Sequence, residues 1–176
     1  MGNENLEFIF PQKVHKQMWL SFVNEFIQNN ERIVPGIARS GDGTYETFYK
    51  AVTDFHNSLN LSAEFVPSST YFLIDRSRKK ILSVASIRHR LNEYLLNIGG
   101  HVGYGVVPSE RLKGYATKTL ALSLEKCREM NINCILITCD KENIGSAKTI
   151  LKNGGVLENE FAEETGNIIQ RYWIML

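Results

Sequence analysis

No stretch of this chain approaches the ~18 consecutive apolar residues that a membrane-crossing helix requires. Its first residues, "MGNENLEF", have neither the basic start nor the apolar segment of an export signal. Met1-Gly2 does not complete a myristoylation signal either, because Leu6 stands where Ser or Thr is needed. Charge of one sign is lacking too: 20 Lys and Arg against 19 Asp and Glu leave a formal net charge of +1. No global field therefore recruits nucleic acid or an anionic membrane, and any anion must be met by a local site. Cysteine is scarce and odd in number, with Cys127, Cys134 and Cys139 in none of the paired spacings of zinc sites or redox motifs. Internal repeats and low-complexity tracts are absent as well. Together these absences predict a cytoplasmic protein with free thiols, no metal, no membrane and no nucleic acid as a partner.

What is present is a chain of 176 residues, 43% hydrophobic, long enough for one domain over 1–176 with a full core. "LEFIF" reads as a short strand, and Val14, Met18, Trp19, Phe22, Val23, Phe26 and Ile27 keep the three- and four-residue spacing of a helix. Phe48, Val52, Phe55 and Leu59 mark a second helix. "YFLID" and "KILSVASIRHRL" flank the polar turn "RSRK" as a hairpin, whose "RHR" is too short and lacks the interleaved aromatics of a nucleic-acid surface. Then come strand "GHVGYGVV", a helix over about 114–130, strand "CILIT", a helix over about 143–153, and two last strands joined by "EFAEETG". Hairpins at both ends with a β-α-β crossover between them predict an α+β fold, a mixed sheet of six to seven strands flanked by about four helices.

One junction carries chemistry. "RLKGYAT" lies between the strand "HVGYGVV" and an amphipathic helix, so Gly114 opens that helix. A helix start offers free N–H groups and the positive end of the dipole, glycine lets a ligand come close, and Arg111 and Lys113 add charge. This is an anion cradle suited to phosphates. It is not a Walker A loop, because "GYATKT" separates the glycine from its lysine, and the glycines of "GGHVGYG" are in the wrong order for a dinucleotide fingerprint.

The segment "GYGVVPSERLKGYATKTL" resembles the acetyl-CoA site of the GNAT N-acetyltransferases, whose signature Gln/Arg-x-x-Gly-x-Gly/Ala reads here as Arg111-Leu112-Lys113-Gly114-Tyr115-Ala116. A second stretch, "DKENIGSAKTILKNGG", is similar to the family's segment after its fifth strand. The resemblance covers about residues 100–157 and implies the GNAT fold, with 99–157 as the acetyl-CoA core, 1–98 shaping the acceptor site and 158–176 as closing strands. It implies that the strand before the cradle splays from its neighbour and that the pantetheine arm enters the gap. Val106 and Val107 would then meet the arm, Arg111, Leu112, Lys113, Gly114, Tyr115, Ala116 and Thr117 the pyrophosphate, and Asn143 and Ser146 the arm again. From the residues alone, Asn143 is also a good N-cap and Gly154 with Gly155 a good helix stop.

The implied activity is transfer of an acetyl group to a primary amine by direct attack, which needs a base and a proton source for the leaving thiolate. Many relatives supply that proton from a tyrosine seven residues beyond the Asn; here the position is Ile150, which cannot donate. This departure keeps open a second expectation, an inactive CoA- or acetyl-CoA-binding sensor or interaction module. His101 is the candidate base, since imidazole titrates near neutrality and stands near the start of the splayed strand; Glu110, read as facing solvent, and Asp140 are weaker. Cys127, on a buried helix stripe, and Cys139, ending a strand, have no base beside them and read as packing rather than as acyl carriers. The acceptor would lie against the N-terminal helices and the loops over 28–44 and 60–70. The last strand, "NIIQRYWIML", would suit a homodimer if it formed a bare sheet edge.

Overall fold

The computed structural model describes residues 5–39, 43–59 and 61–176; parts of both expected acceptor loops, 40–42 and 60, lie outside them. Seven strands and four α-helices follow the expected order. Strand β1 (Leu6–Ile9) leads to α1 (Lys16–Gln28) and α2 (Tyr45–His56), then β2 (Ser68–Asp75), β3 (Lys80–Arg88) and β4 (Val102–Val106). Helix α3 (Tyr115–Glu129), β5 (Cys134–Asp140), α4 (Ile144–Lys152), β6 (Val156–Ala162) and β7 (Ile168–Met175) complete the chain.

The strands do not form one continuous ladder. A four-stranded sheet in the order β1-β2-β3-β4 and a three-stranded sheet in the order β5-β7-β6 stand side by side, and every paired neighbour is antiparallel. Strand β7 is therefore the middle of its sheet and not a bare edge; the edge is β6, all of whose residues are exposed. The dimer expected through an open β7 loses its basis, because both rows of its backbone groups are already paired.

Two cores form on the two faces of this layer. On one, Trp19, Phe22 and Phe26 of α1 and Tyr45, Phe48 and Val52 of α2 meet Phe72, Ile74, Ile81, Val84 and Val107. Phe48 stacks between Trp19 and Phe72, with ring centroids 5.2 and 5.7 Å away. On the other, Leu120, Leu124 and Cys127 of α3 and Ile150 of α4 cover Tyr71, Ile87, Ile135 and Ile137. Phe72 and Tyr71, adjacent in β2, thus enter different cores, and a strand buried on both faces reads as the continuous apolar run seen in the sequence. Four residues of the expected helical stripes fall outside the cores: Val14 and Leu59 lie outside the α-helices, Ile27 in the last turn of α1 faces solvent, and Phe55 of α2 packs on Phe65 instead.

The loop after α1 returns over β4. Trp19 donates its indole N–H to the carbonyl of Ala38 at 3.2 Å, and the chain around Val34 presses on the strand where Gly105 has no side chain. A Cβ at Gly105 would stand 2.1 Å from the Val34 carbonyl oxygen, so glycine there is a condition of close approach. Substituting Gly105→Ala is expected to lower stability by about 1–3 kcal/mol, read as a fall in the urea midpoint. An unchanged midpoint would show that the loop yields freely.

Candidate active site

The gap between the two sheets is set by how β4 begins. At that point the His101 N–H donates to the Leu136 carbonyl at 2.7 Å, and the Leu136 N–H donates to His101 Nδ1 at 3.0 Å. Beyond this contact β4 and β5 share no ladder. The Val107 N–H donates to Leu82 on β3, so by antiparallel alternation Tyr104 and Val106 turn their backbone groups away from β3 and into the gap.

A cavity of about 660 Å³ opens there and runs to the start of α3. Of the twelve residues expected in the site, it gathers Val106, Arg111, Leu112, Gly114, Tyr115, Ala116, Thr117, Asn143 and Ser146. Val107, Lys113 and His101 are not among its lining. The fully buried Val107 side chain belongs to the α1–α2 core and its N–H is taken by Leu82, which leaves it nothing to offer an arm in the gap.

His101 does not fit the part of a base. It is buried, its Nδ1 lone pair is held by the Leu136 amide, and burial followed by the nearby Arg88 charge pushes the imidazole down to about 4. It is a neutral clip between the two sheets. Arg88 itself is occupied internally, donating to the carbonyls of Gly99 and Gly100 at 3.0 and 3.4 Å, which removes it from any nucleic-acid surface.

Helix α3 starts at Gly114, whose φ of +84° lies in the left-handed region that other residues enter only with strain. A Cβ there would meet nothing within 4 Å, so the glycine is required by the backbone angle and not by crowding. No side chain caps this helix, and the first intrahelical bond runs from Lys118 to Gly114. The N–H groups of Tyr115, Ala116 and Thr117 are thus the open donors of the helix start. Leu112, fully exposed at φ +63°, carries the strain of the preceding turn.

Both cations beside the glycine are held by carboxylates. The Arg111 guanidinium grips Glu31 through two nitrogens, one contact at 3.0 Å, and lies 5.9 Å from the Phe26 ring centre. Arg111 in turn holds the Glu31 carboxyl below its ordinary value. Lys113 donates to Glu110 at 3.0 Å and to the Ser109 carbonyl at 2.8 Å. Glu110, expected in solvent, is 4% exposed and sits among Arg78, Lys80 and Lys113. Burial alone would raise its carboxyl, but hydrogen bonds from Lys113, Arg78 and Lys80 bring it below the usual range. With the Ser109 N–H donating to Glu25 at 2.6 Å, this cluster nails the loop between β4 and α3 to α1 and the hairpin.

On the α4 side, Asn143 is an N-cap whose Oδ1 accepts from the Ser146 N–H at 3.0 Å. Ser146 Oγ is 3.0 Å from the Tyr104 hydroxyl. Tyr104 lines the cavity and is the residue that sequence reasoning missed; burial pushes its phenol up to about 12, against the hydrogen bonds from Ser146 and Thr149. Ile150 is fully buried in the core. Cys127 and Cys139 are buried with thiols pushed up by burial, and Asp140 is exposed and accepts from Asn167. Among the described residues there is no metal-binding cluster of three or more His, Cys, Asp or Glu, and no helix long and apolar enough to cross a membrane.

The glycine-opened α3, reached from β4 through a buttressed loop and facing a gap to β5, matches a known family model. The "Acetyltransferase (GNAT) domain" model fits residues 23–156. This chain belongs to the GNAT acetyltransferase family. Among curated proteins no relative matches. Similar solved structures include the ribosomal-protein-S5-alanine acetyltransferase of Vibrio fischeri, 16% identical, TM-score 0.70, covering 99% of this chain and 95% of that one. The microcin C7 self-immunity acetyltransferase MccE, solved with acetyl-CoA and AMP, is 15% identical with TM-score 0.70, over 99% and 94% of the two chains. A dodecameric spermidine N-acetyltransferase of Vibrio cholerae is 17% identical with TM-score 0.64, over 98% and 95%. At these identities the likeness is one of fold.

The clip predicts how this GNAT protein responds to acid. A histidine with its folded value near 4 is neutral while the unfolded chain takes up a proton below about 6.5, so stability falls as pH drops through that window and levels off beneath it. Allowing for solvent screening, His101 accounts for a loss of about 2 kcal/mol. His101→Asn, which keeps an acceptor for Leu136, should show a shallower fall in urea stability between pH 7 and 4.5 than the wild type. Equal falls would mean that the imidazole is solvated.

Proposed function

We propose that this protein is an N-acetyltransferase that moves the acetyl group of acetyl-CoA to a primary amine by direct attack, without an acyl-enzyme. The observation that carries the reading is the joined cavity: uncapped helix N–H groups at one end, and strand amides turned into a closed-ended gap at the other. The pyrophosphate suits the N–H groups of Tyr115, Ala116 and Thr117 with Arg111 beside them. The arm suits the backbone of Tyr104 and Val106, with Asn143 and Ser146 on the facing helix. A strand amide freed from its ladder is placed to polarise a thioester carbonyl, a role in which a fixed donor acts without reorganising.

Acceptor choice falls to residues 1–98, whose loop around Val34 covers the far side of β4. Solved relatives in this fold carry names that include the N-terminal serine of a ribosomal protein and spermidine, and a primary amine is the group common to both. The balanced net charge favours a compact acceptor over an extended polycation. No cysteine intermediate is needed, since Cys127 and Cys139 are buried thiols outside the cavity lining.

Acetyl-CoA at about 100 times its Kd should add about 2.7 kcal/mol of stability, seen as a rise in Tm, with NADH and ATP giving none. Thiol release on adding an N-terminal alanine peptide or spermidine then separates transfer from binding alone. Absence of a Tm shift with acetyl-CoA would remove the reading. The ion pair over the cavity yields a paired prediction: Arg111→Ala weakens acetyl-CoA about tenfold, whereas Glu31→Gln, which releases the guanidinium, tightens it, both measured by calorimetry. Equal affinities for the two variants would show that Arg111 does not meet the phosphates.

A further inference from the structure

A thiolate leaving a dry cleft needs a proton, and the buried Ile150 offers none. The cavity has few hydroxyl groups that could replace it. Tyr115 lines the cavity, but as the first residue of α3 it stands at the anion-cradle end. Tyr172 lies outside the lining and donates to Gln170 at 2.7 Å. Ser146 and Thr149 line the α4 wall, yet an aliphatic hydroxyl is a much weaker acid than a phenol. Tyr104 alone among these brings a phenol to the wall between β4 and the first turn of α4.

We propose that the Tyr104 hydroxyl, held by Ser146, protonates the departing sulfur of the acyl donor, taking from β4 the part that α4 cannot fill at position 150. The inference rests on the acetyl-transfer reading above. As the amine nitrogen bonds to the carbonyl carbon and the carbon–sulfur bond breaks, its electron pair goes to sulfur and the phenolic proton of Tyr104 follows. The phenolate regains a proton, through Ser146, equivalent to the one the amine sheds, so the sum is amine plus thioester giving amide plus thiol.

The surroundings support this assignment. A Ser146 Oγ–H that donates to the phenol oxygen stabilises the phenolate as the proton departs, and Thr149 adds a second such bond. Burial makes the phenol a weaker acid, as it does the nearby Cys139 thiol, which shares Ser146. The phenol stays protonated through neutral pH and is ready to donate.

Tyr104→Phe removes the hydroxyl and keeps the ring. The acetyl-CoA Kd should stay within threefold, while amine-dependent thiol release falls about 100-fold or more. A second readout does not depend on turnover: the thiol of bound CoA, followed by thiolate absorbance, should titrate about one pH unit higher in Tyr104→Phe than in the wild type, because a hydrogen bond to the anion has been lost. Thiol release within threefold of wild type, or an unchanged titration of bound CoA, overturns the assignment and leaves acetyl transfer standing. Wild-type protein that binds no acetyl-CoA, or binds it and releases no thiol with either amine, overturns the transfer reading and this assignment together.

Discussion

The meeting of β4 with β5 at a single place governs this molecule. His101 and Leu136 join the strands through two hydrogen bonds, and beyond them the sheets part. A buried backbone donor or acceptor without a partner is costly, so the unpaired edge of β4 is tolerable only where something else satisfies it. The gap thus offers polar groups by construction: strand amides on one side and the first turn of α4 on the other. A substrate arm that carries its own amides is a natural partner for such walls, because it replaces the missing ladder with main-chain bonds of the same kind.

Rigidity is supplied from outside the gap. The loop from β4 to α3 contains a strained left-handed Leu112 and a glycine-opened helix, neither of which would hold its geometry alone. Glu110 anchors it from below by gathering three cations, and Glu25 holds the Ser109 amide. Breaking a buried cluster of this kind leaves an uncompensated charge. The aromatic core of α1 and α2 carries the other wall, since Phe26 and Val34 line the cavity.

Much of this was legible in the chain. The hairpin of β2 and β3 showed as two β-rich runs around a charged tip, and α3 and α4 showed as apolar stripes bounded by Gly114, Asn143 and Gly154. The cradle followed from Gly114 and the uncapped helix it opens. What escaped was set by pairing at long range. A lone strand says nothing about which edge is filled, so the residues alone hid the interior place of β7 and the break between the sheets, whose splay came only from the resemblance. Glu110 looked exposed because its partners Arg78 and Lys80 are some thirty positions earlier, as a distance in sequence of 32 for Arg78 shows. His101 looked functional because its commitment to Leu136 depends on the fold. Tyr104 had a local signal: Val102, Tyr104 and Val106 alternate onto one face, which marked the phenol as turned towards the helices, but the glycines between them drew the attention.

The Arg111–Glu31 pair has a meaning for selectivity. A carboxylate tethered beside the guanidinium acts as a resident competitor at high effective concentration. Any visiting anion is measured against it. A small monoanion such as acetate or chloride gains nothing by exchange, because it brings one charge to a place already served by one and also surrenders its freedom. A polyanion that also reaches the open N–H groups of α3 gains contacts Glu31 cannot make. In the proposed function the pair would work as a threshold, favouring a ligand long enough to touch both the guanidinium and the helix over a small anion that meets the guanidinium alone.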